Sequence, residues 1–550
     1  MKLLAYVLVM AIVVILPNRA ESEQHTAERL GTVDFSNSCS APVHTSFNRG
    51  VALLHDFWYE EARRQFEQIA NHDPACAMSH WGIAMSVFHQ IWDRPQPTTI
   101  ALGWNEIEKA QSLKAKTTRE REYISALGMF YRPGIDGYQA RADAYSAAMA
   151  KLSREYPDDV DAAAFYALSL LAAKKPSDSN LDHERAALAV LTPLFAKYPD
   201  HPGLAHYIIH ACDNPELAQE GLHAAQRYGS IAPSAAHSAH MPAHIFARLG
   251  MWQPDIDANV ASVRAAEKAF KDHPSALFDQ LHANDFLLYA YLQSGQDANA
   301  KGVVERTAAL LTRSKSMKMA GMSMSEMIPD YQEEFPTIYD LEMRDWKAAA
   351  ALIPASGAPP EIQIFTYWAR TVADGHLRQS DAARADLAKY RALAEQVKSG
   401  KHAYFAESTG AQVAYNEVLA WAAFAEGNSD KAIPPIRAAA DLQDKVGQGE
   451  VDIPAREMLA DMLLEMHRPQ EALVEYDKAL KASPNRLNGL FNAGRAAEAA
   501  GDKARAAKYY SALMQATGNG ARSTRVEFAH VKTFLGSDQA VRSRVLANSR

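Results

Sequence analysis

An all-α chain built from repeated antiparallel helix pairs is the fold class this sequence predicts. Three observations carry that expectation. Apolar residues recur three and four apart nearly throughout, alanine is abundant, and the Val/Thr alternation that marks strands is almost absent. A phased pattern also repeats, because Ala460, Ala472, Tyr476 and Ala479 are followed 34 residues later by Gly494, Ala506, Tyr510 and Leu513. Near the start, Gly50, Ala62, Phe66 and Pro74 have an internal spacing of 12, 4 and 8, and Trp81-Gly82 opens the next unit 32 residues after Gly50. A period of this length marks a solenoid, in which each helix pair buries its apolar face only against its neighbours. The positions have a physical purpose: a small residue lets two helix backbones approach at their crossing, and a flat ring fills the gap beside it. At 550 residues the chain is too long for a single core.

The elements follow in order. Lys2, the 14-residue apolar run from Leu3 to Leu16 and the segment Pro17-Asn18-Arg19-Ala20 read as a signal peptide over residues 1–20. A membrane span needs about 20 apolar residues, and no later stretch supplies them. The expected compartment is therefore outside the cytoplasm, periplasmic or secreted. Residues 21–353 read as a histidine-rich N-terminal solenoid. A Pro/Gly-rich break, PASGAPP at 354–360, introduces degenerate helical repeats over 354–449, and GQGEVDIP at 447–454 precedes a C-terminal repeat pair over 450–516. Residues 517–550 read as a polar tail with one short Val/Phe helix.

The small–alanine–aromatic–proline positions resemble the tetratricopeptide repeat (TPR), most strongly in residues 43–90 and 450–515. The blocks FNRGVALLHDFWYEEA (47–62), CAMSHWGIAM (76–85), HYIIHACD (206–213), HMPAHIF (240–246) and PAREMLADMLLE (454–465) resemble a histidine-rich family of exported bacterial TPR proteins with no established activity. The resemblance implies a superhelical solenoid and carries fold, not chemistry. Such a solenoid exposes a concave groove lined by the first helix of each pair, suited to a protein or peptide partner.

Charge and cysteine content narrow the function. The net charge is −8 and no basic face or aromatic–basic interleaving stands out, which argues against nucleic acid as a partner. An oxidising compartment permits one disulfide among three cysteines. Cys39 precedes the first expected helix and Cys76 begins the third, so antiparallel packing brings them to the same end. Cys212 is then the odd thiol.

Sixteen of the 20 histidines lie at or before His282, which concentrates any imidazole chemistry in the N-terminal half. On a helix, residues four apart differ by about 40° and about 6 Å along the axis. His206, His210 and Asp213 therefore share one face, as do His237, His240 and His244, while His282 sits with Asp285 on a third segment. Imidazole is the commonest side-chain metal ligand, and carboxylates join it in zinc, iron and manganese sites. The expectation is that His206, His210, His240, His244 and His282 meet at one centre on the concave side, holding copper, iron or zinc. Asp213 or Asp285 would be a further ligand or would fix an imidazole's tautomer. The plainer alternative is a buried polar network satisfied by backbone and carboxylates. Pro242 either kinks a helix or begins one, and the second case leaves His237 in a loop.

His44, His55, His80 and His89 form a second group, read as packing residues. Met317, Met319, Met322, Met324 and Met327 crowd eleven residues, a density that suits Cu(I), though methionine is more often an adaptable filler. No HExxH, CxxC, CxxCH, GxSxG or phosphate-loop pattern occurs. Three readings stay open: an exported scaffold with a histidine-lined metal site, a metalloenzyme performing iron- or copper-dependent oxidation or zinc hydrolysis on the same residues, and a purely structural interaction solenoid.

Overall fold

The structure is a computed structural model that describes residues 28–536, apart from 92, 93, 176, 177, 179, 315–323, 401–405, 407, 448 and 450. The expected signal segment at 1–20 and most of the methionine run lie outside the described residues. Among those described there is no strand, and no helix is long and apolar enough to cross a membrane.

Helices pair in sequence. The N-terminal pairs are α1 His44–His55 with α2 Tyr59–His72, α3 Ala77–Met85 with α4 Pro97–Ser112, α5 Thr118–Tyr131 with α6 Tyr138–Glu155, α7 Val160–Ala172 with α8 Asp182–Lys197, and α9 Pro202–Cys212 with α10 Ala218–Ile231. The next pair has a broken first member, α11 Ala236–His240 and α12 Pro242–Arg248, against α13 Trp252–Ala269. Then come α14 Ala276–Gln293 with α15 Asp297–Ser314, α16 Met324–Glu342 with the short α17 Trp346–Ala350, and α18 Pro360–Leu377 with α19 Ser380–Ser399. The chain closes with α20 Thr409–Ala425 and α21 Ser429–Val446, α22 Ala455–Glu465 and α23 Pro469–Ala482, and α24 Leu487–Ala499 and α25 Lys503–Ala516. This is a TPR-type superhelical solenoid.

The repeat signature works as its chemistry demands. The Phe66 ring of α2 lies between Gly50 of α1 and Gly82 of α3, where a methyl at Gly50 would sit 2.8 Å from the ring. Gly494 meets Tyr510 in the same way in the last pair. Helix ends are also written locally. Thr117 and Glu120 form a reciprocal capping box at α5. α1 ends in a Schellman turn: Phe57 N–H bonds Leu54 O at 3.2 Å and Trp58 N–H bonds Leu53 O at 3.0 Å, with Phe57 left-handed at φ 57°. Cys39 and Cys76 are joined in a disulfide, and Cys212 is free and buried.

The cores do not follow the Pro/Gly-rich segments. One runs from Leu30 to Phe246, a second from Ala243 to Phe335 and Ile338, and a third from Leu341 to Val531. The third crosses both 354–360 and 447–454, since the flanking helices share apolar faces across those turns. The expected polar tail is anchored at its start. Phe528 and Val531 are buried, and Arg525 pairs with Asp297 of α15 at 3.0 Å. The C-terminal pair also reaches the middle of the chain, where the buried Arg486 bonds Glu342 and Glu457 at 2.8 Å each and touches Tyr289 of α14.

Candidate metal centre

All of the clustered histidines stand on first helices of successive pairs: His206 and His210 on α9, His237 on α11, His240 at its last position, His244 on α12 and His282 on α14. Pro242 resolves the second segment as the kinked alternative, with His237 on the helix and not in a loop. Met241 stays α-helical (φ −50°, ψ −36°) between two short helices, and Pro242 takes the first position of the second, where its missing N–H costs nothing. His237 is therefore helical, and three positions before His240 on the same short helix its ring lies 5.0 Å from that of His206 and 6.2 Å from that of His240.

The consequence is two centres, not one. His206, His210 and His237 form one triad, with ring centroids 4.7, 5.0 and 6.3 Å apart. His240, His244 and His282 form the other, at 4.8, 4.4 and 5.9 Å. The residues expected to share a centre, His206, His210, His240, His244 and His282, are thus divided between two neighbouring triads, with His210 and His244 6.3 Å apart across the boundary. The site is also buried rather than open on a concave wall: His206 is 0% and His240 1% exposed, and only His210 and His282 are half-buried.

Hydrogen bonds on the far ring nitrogens orient the imidazoles. His206 Nδ1 lies 2.6 Å from the backbone carbonyl of His55, an obligate acceptor. His244 Nδ1 lies 2.9 Å from Asp213 Oδ2, whose other oxygen accepts from Arg248 Nε at 2.9 Å. His240 Nδ1 lies 2.7 Å from Asn259 Oδ1. The amide orientation of Asn259 is fixed because its Nδ2 donates to Asp255 O at 3.0 Å and to Asp255 Oδ1 at 2.6 Å. These three Nδ1 atoms carry the protons, so the three Nε2 atoms are lone pairs.

Those lone pairs point inward. His240 Nε2 and His244 Nε2 are 3.0 Å apart. Two facing lone pairs repel unless a proton or a cation lies between them. In the first triad, His206 Nε2 has His210 Nε2 at 3.0 Å and His237 Nε2 at 3.2 Å. A tetrahedral ion with N–metal distances of about 2.0–2.1 Å holds its nitrogens roughly 3.3 Å apart, close to these separations. Protonation is a costly alternative at this depth. Burial pushes the His206 imidazole down to about 3 and the His237 imidazole well below its ordinary value.

Each triad has an aromatic backing that the sequence did not reveal. Phe57 lies 4.3, 5.5 and 5.6 Å from the rings of His206, His210 and His237. Phe286 lies 4.8, 4.7 and 5.5 Å from those of His240, His244 and His282. Asp213 acts as an orienting acceptor. Asp285 is buried on α14, with Tyr331 and Glu334 of α16 among its charge neighbours.

His55 was read as packing, and it belongs instead to a third polar cluster. Its Nε2 lies 2.9 Å from Asp161 Oδ1, its Nδ1 2.9 Å from Tyr207 Oη, and His201 Nε2 is 3.3 Å from the same Asp161 oxygen. Burial pushes the Asp161 carboxyl up, but hydrogen bonds from His201 and His55 hold it below the usual carboxylate range. Next to it, Asp56 Oδ1 accepts from Tyr228 Oη and Ser238 Oγ, 2.9 Å each, which ties α11 to the end of α1. Of the remaining histidines in that group, His80 pairs with Glu106 at 2.7 Å, His44 meets Cys39 O at 3.0 Å, and His89 stacks on Tyr59.

No family model and no curated protein sequence matches this chain. Among solved structures, the human IFIT1 dimer with PPP-AAAA is 13% identical, with a TM-score of 0.34 over 85% of this chain and 88% of that one. Yeast Tom70 is 12% identical, with a TM-score of 0.33 over 92% and 98%. The P58(IPK) TPR domain is 12% identical, with a TM-score of 0.20 over 93% and 99%. These likenesses concern helical-repeat architecture and say nothing of chemistry.

Proposed function

We propose that this protein is an exported TPR scaffold whose two buried histidine triads bind transition-metal ions. The observation that carries the reading is the 3.0 Å approach of His240 Nε2 and His244 Nε2 while both Nδ1 atoms are held by acceptors. With both Nδ1 atoms engaged, the two Nε2 atoms converge on one point that a metal ion can occupy, and the acceptors behind the rings are the outer partners that fix ligand tautomers. Imidazole suits zinc, copper and iron.

The scaffold part of the reading rests on the solenoid and on a groove of about 580 Å³ near the C-terminal pair, whose lining mixes Arg344, Arg378 and Arg495 with Asp461 and Glu465. Arg344 and Arg378 pair with those carboxylates, so the groove suits a polar peptide of mixed charge. A catalytic reading is favoured by one specific feature, that three protein ligands leave a fourth position for water, oxygen or substrate. Iron- or copper-dependent oxidation and zinc hydrolysis both fit it.

Elemental analysis of untagged protein taken from an exported fraction tests the proposal. Copper, iron or zinc should co-purify and fall in a His240→Ala/His206→Ala double variant that keeps its helical circular dichroism. Metal-free wild-type protein that also fails to take up all three ions would return the histidines to a structural role.

A further inference from the structure

We propose that His55, Asp161 and His201 form a third metal site, separate from the two triads, that takes one divalent ion of the zinc or iron(II) class through two imidazole nitrogens and one carboxylate oxygen. The site stands whether or not the triads hold metal. Its donors come from three elements: His55 closes α1, Asp161 lies in the first turn of α7, and His201 caps α9. His55 Nε2 is 2.9 Å and His201 Nε2 3.3 Å from the same oxygen, Asp161 Oδ1, and the two rings stand 4.8 Å apart at 65°. An ion with ligand distances of about 2.0–2.2 Å spaces its donors roughly 2.9–3.5 Å apart. All three residues are buried.

The neighbours hold the rings to that geometry. Phe165 stacks on the His55 ring at 4.5 Å and 15°, and Tyr207 Oη lies 2.9 Å from its Nδ1. A proton on Nδ1 is then donated to the hydroxyl, which leaves Nε2 as a lone pair facing Asp161. Gly203 makes room for the ring, since a Cβ there would overlap His55 Nδ1. His201 occupies a helix cap, where Ser, Thr, Asp or Asn would accept from the free N–H groups. It makes no such bond, and its buried Nδ1 has no hydrogen-bond partner among the described residues. The ring is turned to Asp161 instead.

Asp161 sets this site apart chemically. Its ion-pair partners among the described residues are His55 and His201. Arg119 acts on it from a distance and is bonded to Asp159. A carboxylate at this depth needs positive charge beside it, and a divalent ion between the three donors supplies it. The oxygen donor, harder than imidazole, turns the site from copper(I) towards zinc and iron(II). An ion here would tie α1, α7 and α9 together behind the first triad, because the backbone carbonyl of His55 holds His206 Nδ1 at 2.6 Å.

Crystals of metal-free protein soaked in zinc, with anomalous data on both sides of the zinc edge, provide the test. The expected result is a peak within about 2.0–2.2 Å of His55 Nε2, His201 Nε2 and Asp161 Oδ1. A peak here without peaks at the triads would uphold this site and count against metal in the triads. Peaks at the triads with none here would overturn this site, reduce it to a hydrogen-bonded network and leave the triads as proposed. No peak at any of the three would remove both. In solution, Asp161→Asn and His201→Gln should each retain one zinc per chain fewer than wild-type protein after a chelator wash, with helical circular dichroism unchanged. The two substitutions alter different helices, so if one fails to fold the other decides. A folded variant that keeps the full wild-type zinc content would refute the proposal.

Discussion

The N-terminal repeats around α9–α14 and the C-terminal repeats around α22–α25 solve the same problem differently. Both bury polar side chains on the inner helices of a solenoid. In the C-terminal part every such charge has an opposite within reach: Arg486 with Glu342 and Glu457, Arg344 with Asp461 at 3.1 Å, and Arg456 with Glu475 at 2.8 Å. That network is internally compensated and holds the solenoid closed against α14. The histidine region fixes its imidazoles from behind and turns their inner nitrogens toward one another, 3.0 Å apart for His240 and His244. Buried charges paired with one another read as structure, and buried ligand atoms gathered at one point read as a site.

The sharpest attack on the comparison is Arg486→Ala. Removing the cation leaves Glu342 and Glu457 as uncompensated buried carboxylates, at a cost of about 3–5 kcal/mol. Chemical denaturation should show that loss, while metal bound per folded chain stays unchanged. Loss of metal from the folded variant would mean the two regions are not separable.

Next comes Cys39→Ser. Opening a 37-residue loop costs roughly 3–4 kcal/mol in the chain-entropy account. The first repeats should unfold earlier, with the C-terminal network still protected in hydrogen exchange. Simultaneous loss of protection at both ends would make the solenoid one cooperative unit.

Asn259→Ala targets orientation alone. It removes the acceptor behind His240 and should weaken metal binding about 10–100-fold in a chelator competition. Unchanged affinity would show that Asn259 does not position the ring.

The smallest effect is one of pH on metal-free protein, with opposite signs in the two regions. Burial pushes the His55 imidazole from its ordinary 6.5 down to about 4. The unfolded chain therefore takes up a proton that the folded one refuses, and this stabilisation, present above about 6.5, is lost as pH falls toward 4. Burial pushes the Glu417 and Asp374 carboxyls up to about 7. Their contribution is present at low pH and lost as pH rises through 7. Segment-resolved hydrogen exchange between pH 7 and 4 should show α1, α7 and α9 loosening while α18 and α20 tighten. Parallel loosening of both would refute the opposition.

What the sequence disclosed was set by the range of each interaction. Gly50, Phe66, Gly494 and Tyr510 were readable because a repeat fixes its packing within one period. His206 with His210, and His240 with His244, were readable because one turn of helix brings each pair together. The division into two triads was not, since His237 and His240 stand three apart on one short helix and the grouping depends on which distant helix each ring meets, α9 for His237 and α14 for His240. Asn259 lies 19 residues from the ring it orients, and the carbonyl that holds His206 is 151 residues away. No local pattern announces either. Asp213 and Asp285 had equal standing in the sequence, and the place of Asp213 behind His244 depends on a contact across 31 residues.

Phe57 ties stability and chemistry together at a single residue. It terminates α1 in a left-handed conformation that glycine would adopt without penalty, yet its ring is what lies against three imidazoles. Glycine there would relieve about 1–2 kcal/mol of backbone strain and leave a buried cavity costing about 3–5 kcal/mol, because the Phe57 ring is part of the N-terminal core. A mutation that loosens the first triad at this position should therefore lower thermal tolerance as well, and the two losses should be inherited together.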